Sequence, residues 1–219
     1  MDKRYITHKR EVFFQIAKDL IKKNSKVLDI GSGNGSFAEY CERPDIYMLE
    51  GNSESAYTLK LKYTNVYESR LPSIPFENDM FDLIHMSHVI EHLEPEEVYQ
   101  TLVEFDRCCK KDGYLVISAP LMWEGFYDDL SHIKPYQPYI FKKYLCGFGS
   151  DNFSRPAISK NYNVERLTYR YKERYRLFAI KNSKKLFDRF IFKIYNLLKI
   201  RGFKEYRKTG YTIVLKKLK

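Results

Sequence analysis

The run Val27-Leu28-Asp29-Ile30-Gly31-Ser32-Gly33-Asn34-Gly35 constrains this chain more than any other feature. A short apolar stretch ends at three closely spaced glycines, and a helix-compatible segment begins at Ser36. A strand that passes through glycines into a helix lets a ligand approach the backbone, because no Cβ stands in the way. The spacing is G-x-G-x-G and lacks the third glycine of the dinucleotide pattern G-x-G-x-x-G, which weighs against a nicotinamide cofactor. A tight turn with no ligand would use the same residues, so the neighbouring segments have to decide between the two.

Those segments repeat the same rhythm. An amphipathic helix over residues 8–22, with Val12, Phe13, Ile16, Leu20 and Ile21 on one side, precedes a first strand at Lys26–Ile30. Further strands are expected at Ile46–Glu50, Thr64–Tyr67, Phe81–Ser87 and Tyr114–Ala119, with helices at about Ser36–Cys41, Ser53–Lys60 and Pro95–Lys110 between them. Repeated β then α predicts an α/β chain with a parallel sheet covered on both faces. After Pro120 the rhythm stops. Residues 121–136 read as an aromatic active-site loop, followed by a helix near Pro138–Cys146 and strands at Val164–Tyr171 and Tyr211–Leu215. Between these strands, Ser183–Ile200 alternates Leu186, Phe187, Phe190, Ile191, Ile194, Leu197 and Leu198 with Lys184, Lys185, Arg189 and Lys193, a basic amphipathic insert. No repeat or low-complexity linker divides the chain. A single domain over 1–219 is expected, with an N-terminal helical extension (1–24), a ligand-binding core (25–120) and a substrate-side part (121–219).

Hydrophobic residues at 44% and charged residues at 30% are ordinary for a globular protein and exclude wholesale disorder. Apolar runs fall well short of the roughly 18 to 20 residues that cross a bilayer. Met1-Asp2-Lys3-Arg4-Tyr5-Ile6-Thr7-His8 lacks the apolar core of a secretory signal, and Cys41, Cys108, Cys109 and Cys146 show no C-x-x-C spacing. Reduced thiols and a cytoplasmic location are expected. The formal charge of +10 favours polyanionic surroundings, and lysine and arginine interleaved with tyrosines are concentrated after residue 160.

Glu50 ends the second strand, where an acidic side chain accepts hydrogen bonds from both hydroxyls of an adenosine ribose. Together with the glycine loop, the block Ile46–Asn52, the block Ile74–Ile84 running into Ser87-His88-Val89-Ile90-Glu91-His92-Leu93, and Cys108–Ile117, it makes the chain resemble the class I methyltransferase family, in particular its ubiquinone-biosynthesis branch. The resemblance spans roughly residues 25–120. It implies a Rossmann-like, doubly wound, three-layer α/β/α fold whose mostly parallel seven-stranded sheet has an antiparallel last strand. It also implies S-adenosyl-L-methionine as cofactor and S-adenosyl-L-homocysteine as product. On the same ground Asp29, Gly31, Ser32, Gly33 and Gly35 would hold the methionine portion and ribose, Gly51 and Asn52 would flank the adenosine, and Met86, Ser87 and His88 would line the site after the fourth strand. The family often has an acidic residue before the Leu-Pro-Phe block, contacting the adenine amine. Here the segment is longer, and Glu68, Ser69 or Arg70 stands at that place, Ser69 being counted among the expected contacts.

His88-Val89-Ile90-Glu91-His92 also matches H-x-x-E-H, an inverted zinc-peptidase pattern that requires both histidines on one helical face. It begins at a strand end here, so no metal is expected, and Glu91 and His92 are read as starting a helix and supporting the pocket. In the loop, Asp128-Asp129-Leu130-Ser131-His132-Ile133-Lys134-Pro135-Tyr136 offers His132, oriented by Asp129, as a general base, or equally as a fastening for the loop. Asp128 and Asp129 are a weaker option for metal-assisted transfer. The Asp-x-x-His-x-x-Pro-Tyr pattern is similar to loops of methyltransferases associated with polysaccharide biosynthesis. The expected reaction is therefore O-methylation of a small-molecule, sugar or glycolipid acceptor, and the basic insert is either a peripheral contact to the inner membrane surface, a lid or a dimer surface. RNA methylation, motivated by Tyr162–Arg176, is one alternative. Binding of S-adenosylmethionine without turnover, as an assembly partner, is the other.

Overall fold

The computed structural model describes residues 2–149, 155–173, 185–200 and 205–219. Seven strands, β1 (Val27–Ile30), β2 (Tyr47–Glu50), β3 (Val66–Glu68), β4 (Phe81–Ser87), β5 (Cys109–Pro120), β6 (Tyr162–Glu173) and β7 (Tyr206–Lys217), form one sheet in the order β3-β2-β1-β4-β5-β7-β6. β1 to β5 are parallel, and β7 runs antiparallel to both of its neighbours. This is the expected doubly wound sheet. The strand order reverses between β1 and β4, and the crevice outside their carboxyl ends is where such sheets bind ligands.

Helices cover both faces. On one side, α1 (Glu11–Lys18), α2 (Ser36–Cys41) and α3 (Ser53–Lys60) bury Phe13, Phe14, Ile16, Phe37 and Leu59 against Val27, Met48 and Leu83. On the other, α4 (Pro95–Cys108) and α5 (Tyr139–Leu145) bury Leu102, Phe105, Phe141 and Leu145 against Leu28, Ile84, Leu115 and Ile213. Alternate residues of each strand therefore feed two cores, which is why the central strands read as continuous apolar runs. The first helix is shorter than the apolar periodicity over 8–22 suggests. Beyond Lys18 the backbone bonds tighten to i−3, from Leu20 N–H to Ala17 and from Ile21 N–H to Lys18. Pro95 opens α4, and Glu97 Oε2 accepts from the Glu94 N–H at 2.8 Å, which caps that end.

At the other end of α4, a buried lysine joins helix to sheet. Lys217 Nζ donates to the carbonyls of Asp106 (2.6 Å) and Cys109 (2.8 Å) and lies 3.6 Å from carboxylate oxygens of Asp79 and Asp106. Lys217→Met leaves those carbonyls without their donor, so urea unfolding is expected to show a loss of about 2–4 kcal/mol, since unpaired buried acceptors bear their full desolvation cost. An unchanged midpoint would show that the contact contributes nothing.

A helix α6 (Leu186–Ile200) lies in sequence between β6 and β7. It carries Leu186, Phe187, Phe190, Ile194 and Leu197 exposed. Ser183 and Lys184 of the expected insert lie outside the described residues, as do Arg174, Tyr175 and Arg176. Among the described residues no helix is long and apolar enough to cross a membrane. Cys41, Cys108, Cys109 and Cys146 are free thiols.

Candidate active site

A cavity of about 750 Å³ opens at the carboxyl ends of β1, β2 and β4. Six of the expected residues line it: Gly31, Glu50, Gly51, Asn52, Ser69 and His88. The loop is built for close approach. Gly31 has φ +66°, donates its N–H to the Leu49 carbonyl at 2.8 Å, and a Cβ there would overlap Val89 Cγ2. Glu50 ties the loop to the next turn, since its Oε2 accepts from Gly33 N–H at 2.7 Å and its Oε1 from Asn52 N–H at 2.9 Å. Each carboxylate oxygen keeps a further lone pair. Asn52 in turn caps α3 through Ser55 N–H. A glycine floor, a carboxylate at the end of β2 and a cavity of this volume fit an adenosine cofactor.

Of the other expected contacts, Asp29, Ser32, Gly35 and Met86 are buried behind that wall, Ser87 is half-buried and Gly33 is exposed. The register of β1 and β4 pairs Asp29 with His85, and neighbouring residues on paired strands face the same side. Asp29 Oδ1 accordingly lies 2.7 Å from His85 Nδ1, with both side chains buried on the α1–α2 side. The His85 ring stacks on Phe37, with ring centroids 3.8 Å apart. Ser32 Oγ donates to the Asp29 carbonyl, and Gly35 starts α2 at φ +80°. Met86 is buried, and Ser87 ends β4. At the far end of the cavity, Arg70 Nε donates to the Gly51 carbonyl, while Ser69 Oγ–H is taken by the Ser73 carbonyl.

After β4 the chain does not continue as a helix. His88 sits at φ +58°, and only a single 3₁₀ turn, Ile90–His92, follows. The two histidines of H-x-x-E-H therefore share no helical face, which removes the peptidase pattern. His88 belongs instead to a chain of hydrogen bonds. Arg170, which sequence reading did not single out for the site, reaches in from β6 and its Nη1 lies 3.1 Å from His88 Nε2. A guanidinium only donates, so His88 carries its proton on Nδ1 and gives it to Glu91 Oε1 at 3.1 Å. Burial pushes the His88 imidazole below its usual value and brings the Arg170 guanidinium down to about 10, with Arg10 adding to the latter effect. Glu91 is 1% exposed, and its Oε2 has no hydrogen-bond partner among the described residues.

The loop after β5 folds back onto this turn. Ile133 and Lys134 N–H groups both donate to the Glu91 carbonyl, at 2.8 and 3.3 Å. That places His132 beside His92, with ring centroids 5.0 Å apart, and His92 and Ser131 line the cavity edge. The group that orients His132 differs from the expected one. Its Nδ1 lies 2.5 Å from the Phe126 carbonyl, whereas Asp129 Oδ2 is 3.9 Å from its Nε2. Asp129 Oδ1 instead accepts from the Ser131 N–H and hydroxyl, which hold its carboxyl below the usual carboxylate range. Asp128 and Asp129 are both exposed. Nothing in the local sequence marks Phe126 as the orienting residue, because the contact is made by its backbone.

A family model described as a methyltransferase domain matches residues 2–145. Solved structures similar to the chain include an S-adenosylmethionine-dependent methyltransferase from Archaeoglobus fulgidus, at 24% identity and TM-score 0.64 over 94% of this chain and 92% of that one. The YcgJ protein from Bacillus subtilis aligns at 14% identity and TM-score 0.61, covering 94% of this chain and 97% of its own. An S-adenosylmethionine-dependent methyltransferase from Aquifex aeolicus aligns at 21% identity and TM-score 0.52, covering 76% and 89%. No curated protein matches the chain by sequence. The structural likenesses bear on the fold, and the family model covers the greater part of the chain, including the glycine loop, Glu50 and His132. The chain belongs to the methyltransferase-domain family and is a class I methyltransferase that uses S-adenosylmethionine.

Proposed function

We propose that this methyltransferase transfers the methyl group to a hydroxyl of a small-molecule, sugar or glycolipid acceptor. The observation that carries this reading is the state of His132. A carbonyl can only accept, so the Phe126 contact places a proton on Nδ1, and the neutral ring keeps its Nε2 lone pair, next to His92 at the cavity edge. A hydroxyl acceptor needs such a group, because it must lose its proton as the new bond forms. The bound cofactor supplies an electrophilic methyl on a sulfonium. For their part, Glu50 takes the ribose hydroxyls, Gly31, Gly51 and Asn52 let the adenosine lie against backbone, and Ser69 with Arg70 borders the adenine. Asp29, Ser32, Gly33, Gly35, Met86, Ser87 and His88 shape the wall from behind or at its rim.

The exposed apolar residues of α6 lie on a helix that also carries Arg189 and Lys193, with Lys185 just before it, a combination suited to an anionic lipid surface and so to a glycolipid acceptor. RNA is less well served. Of the basic residues on β6, Arg166 donates to Tyr5 OH, Arg170 to His88, and Lys172 lies over the Trp123 ring, so each is engaged within the protein. Radiolabelled methyl transfer to fractionated cell extract tests the reading. Label is expected in saccharide or lipid-extractable material as an ether that survives mild base. Label in RNA would favour the alternative, and no label in any fraction would leave binding without turnover.

A further inference from the structure

We infer that Glu91, His92 and His132 form a binding site for a divalent transition-metal ion at the acceptor edge of the cofactor cavity. One ligand-type atom from each of the three lies within 4.8 Å of the others. Proximity alone would not make a site, but the proton positions and burial do. His92 Nδ1 is 3.1 Å from the Ser131 carbonyl and His132 Nδ1 is 2.5 Å from the Phe126 carbonyl. Both rings must donate from Nδ1, so as neutral imidazoles both present Nε2 as a lone pair, the arrangement that outer hydrogen bonds give to metal-bound imidazoles. Glu91 completes the set. Its Oε1 is held by His88, which Arg170 holds in turn, and its Oε2 is buried without a hydrogen-bond partner among the described residues. A buried carboxylate oxygen with no donor carries a desolvation cost that a cation would relieve.

The ligands come from two segments that the Glu91 carbonyl clamps together through Ile133 and Lys134. In a tetrahedral site with bonds of roughly 2.0–2.2 Å, ligand atoms stand about 3.3 Å apart, so a small closure of the half-buried rings suffices. Two imidazoles and one carboxylate leave a coordination position open, as sites that bind a reacting group do and closed structural sites do not. Asp129 Oδ2, 3.9 Å from His132 Nε2, adds negative potential on the outer side.

The mechanistic consequence rests on the hydroxyl-acceptor reading above, whereas ion binding does not. An ion in this position would take the acceptor oxygen and lower its pKa, the proton leaving to water and the ion's charge staying unchanged. His132 would then act through the ion. The local pattern H-x-x-E-H pointed to His88 as the second histidine; folding exchanges it for His132.

Untagged full-length protein, freed of metal with chelator and dialysed, would be titrated with Co²⁺ by visible absorbance and with Zn²⁺ by calorimetry. One ion per chain is expected, with Co²⁺ bands in the visible. Glu91→Gln, His92→Ala and His132→Ala should each weaken binding at least about tenfold. Exposed His8→Ala serves as the control and should bind as the parent does. Cofactor affinity, expected to stay within about twofold in His132→Ala, checks that the variant is folded. Absence of Co²⁺ binding by the parent protein, or binding that both His132→Ala and Glu91→Gln leave unchanged, would overturn the site. Neither readout depends on which acceptor is methylated, so failure of the hydroxyl reading would show separately in the labelling experiment.

Discussion

Replacing His132 with alanine is expected to lower methyl transfer about 10²- to 10⁴-fold, the usual contribution of a positioned proton-handling group, while S-adenosylmethionine affinity changes by less than about twofold. The separation of the two effects follows from position. His132 is held by the Phe126 carbonyl and packs against the Phe126 ring at 4.7 Å, and it is not among the residues that line the cavity with Gly31 and Glu50. Its removal therefore deletes the Nε2 lone pair without touching the groups assigned to the cofactor. Turnover and calorimetric affinity measured on the same preparation check this. Equal turnover would reduce His132 to a fastening of the loop, and a parallel loss of cofactor affinity would mean that the loop also shapes the cofactor cavity.

Glu50→Ala is expected to weaken cofactor binding about 100-fold or more, because hydrogen bonds to a charged group contribute about 1.5–3 kcal/mol each. The side chain has two duties. It faces the cavity, where the ribose hydroxyls would lie, and it holds Gly33 and Asn52 through their N–H groups. Alanine removes both, so part of the loss should come from a loosened loop. Glu50→Gln discriminates between them: it keeps one strong acceptor and is expected to fall between parent and alanine. Unchanged affinity in the alanine variant by calorimetry would contradict the ribose assignment.

Local pattern was informative where one strand or turn carries its own reason. β4 lies at Phe81–Ser87 as the apolar run predicts, and the α/β alternation foretells the parallel half of the sheet. The two long strands outrun their apolar stretches. β6 and β7 extend to Glu173 and Tyr206, well past the apolar stretches, because the antiparallel ladder continues through polar pairs such as Lys172 with Arg207. Hydropathy ends where burial ends, whereas hydrogen-bonded pairing does not. β5 begins at Cys109, within the span that the sequence predicts as helix, since a register shift between Phe81 and Leu83 lets the strand absorb the polar Lys110–Gly113.

The amino-acid order by itself pointed to the donor, because the groups that suggest it are local: a strand, glycines that leave the backbone bare, and a carboxylate at the end of the next strand. Tertiary structure alone decided which polar side chains share a site. Asp29 turns to His85 through strand register, Arg170 crosses from β6 to hold His88, and a loop folding back puts His132 beside His92 and Glu91. Those partners are far apart in the chain, so no spacing rule connects them. What brings them together is tertiary: Arg170 reaches from β6 to the turn after β4, and the loop after β5 folds back onto the same turn through the Glu91 carbonyl.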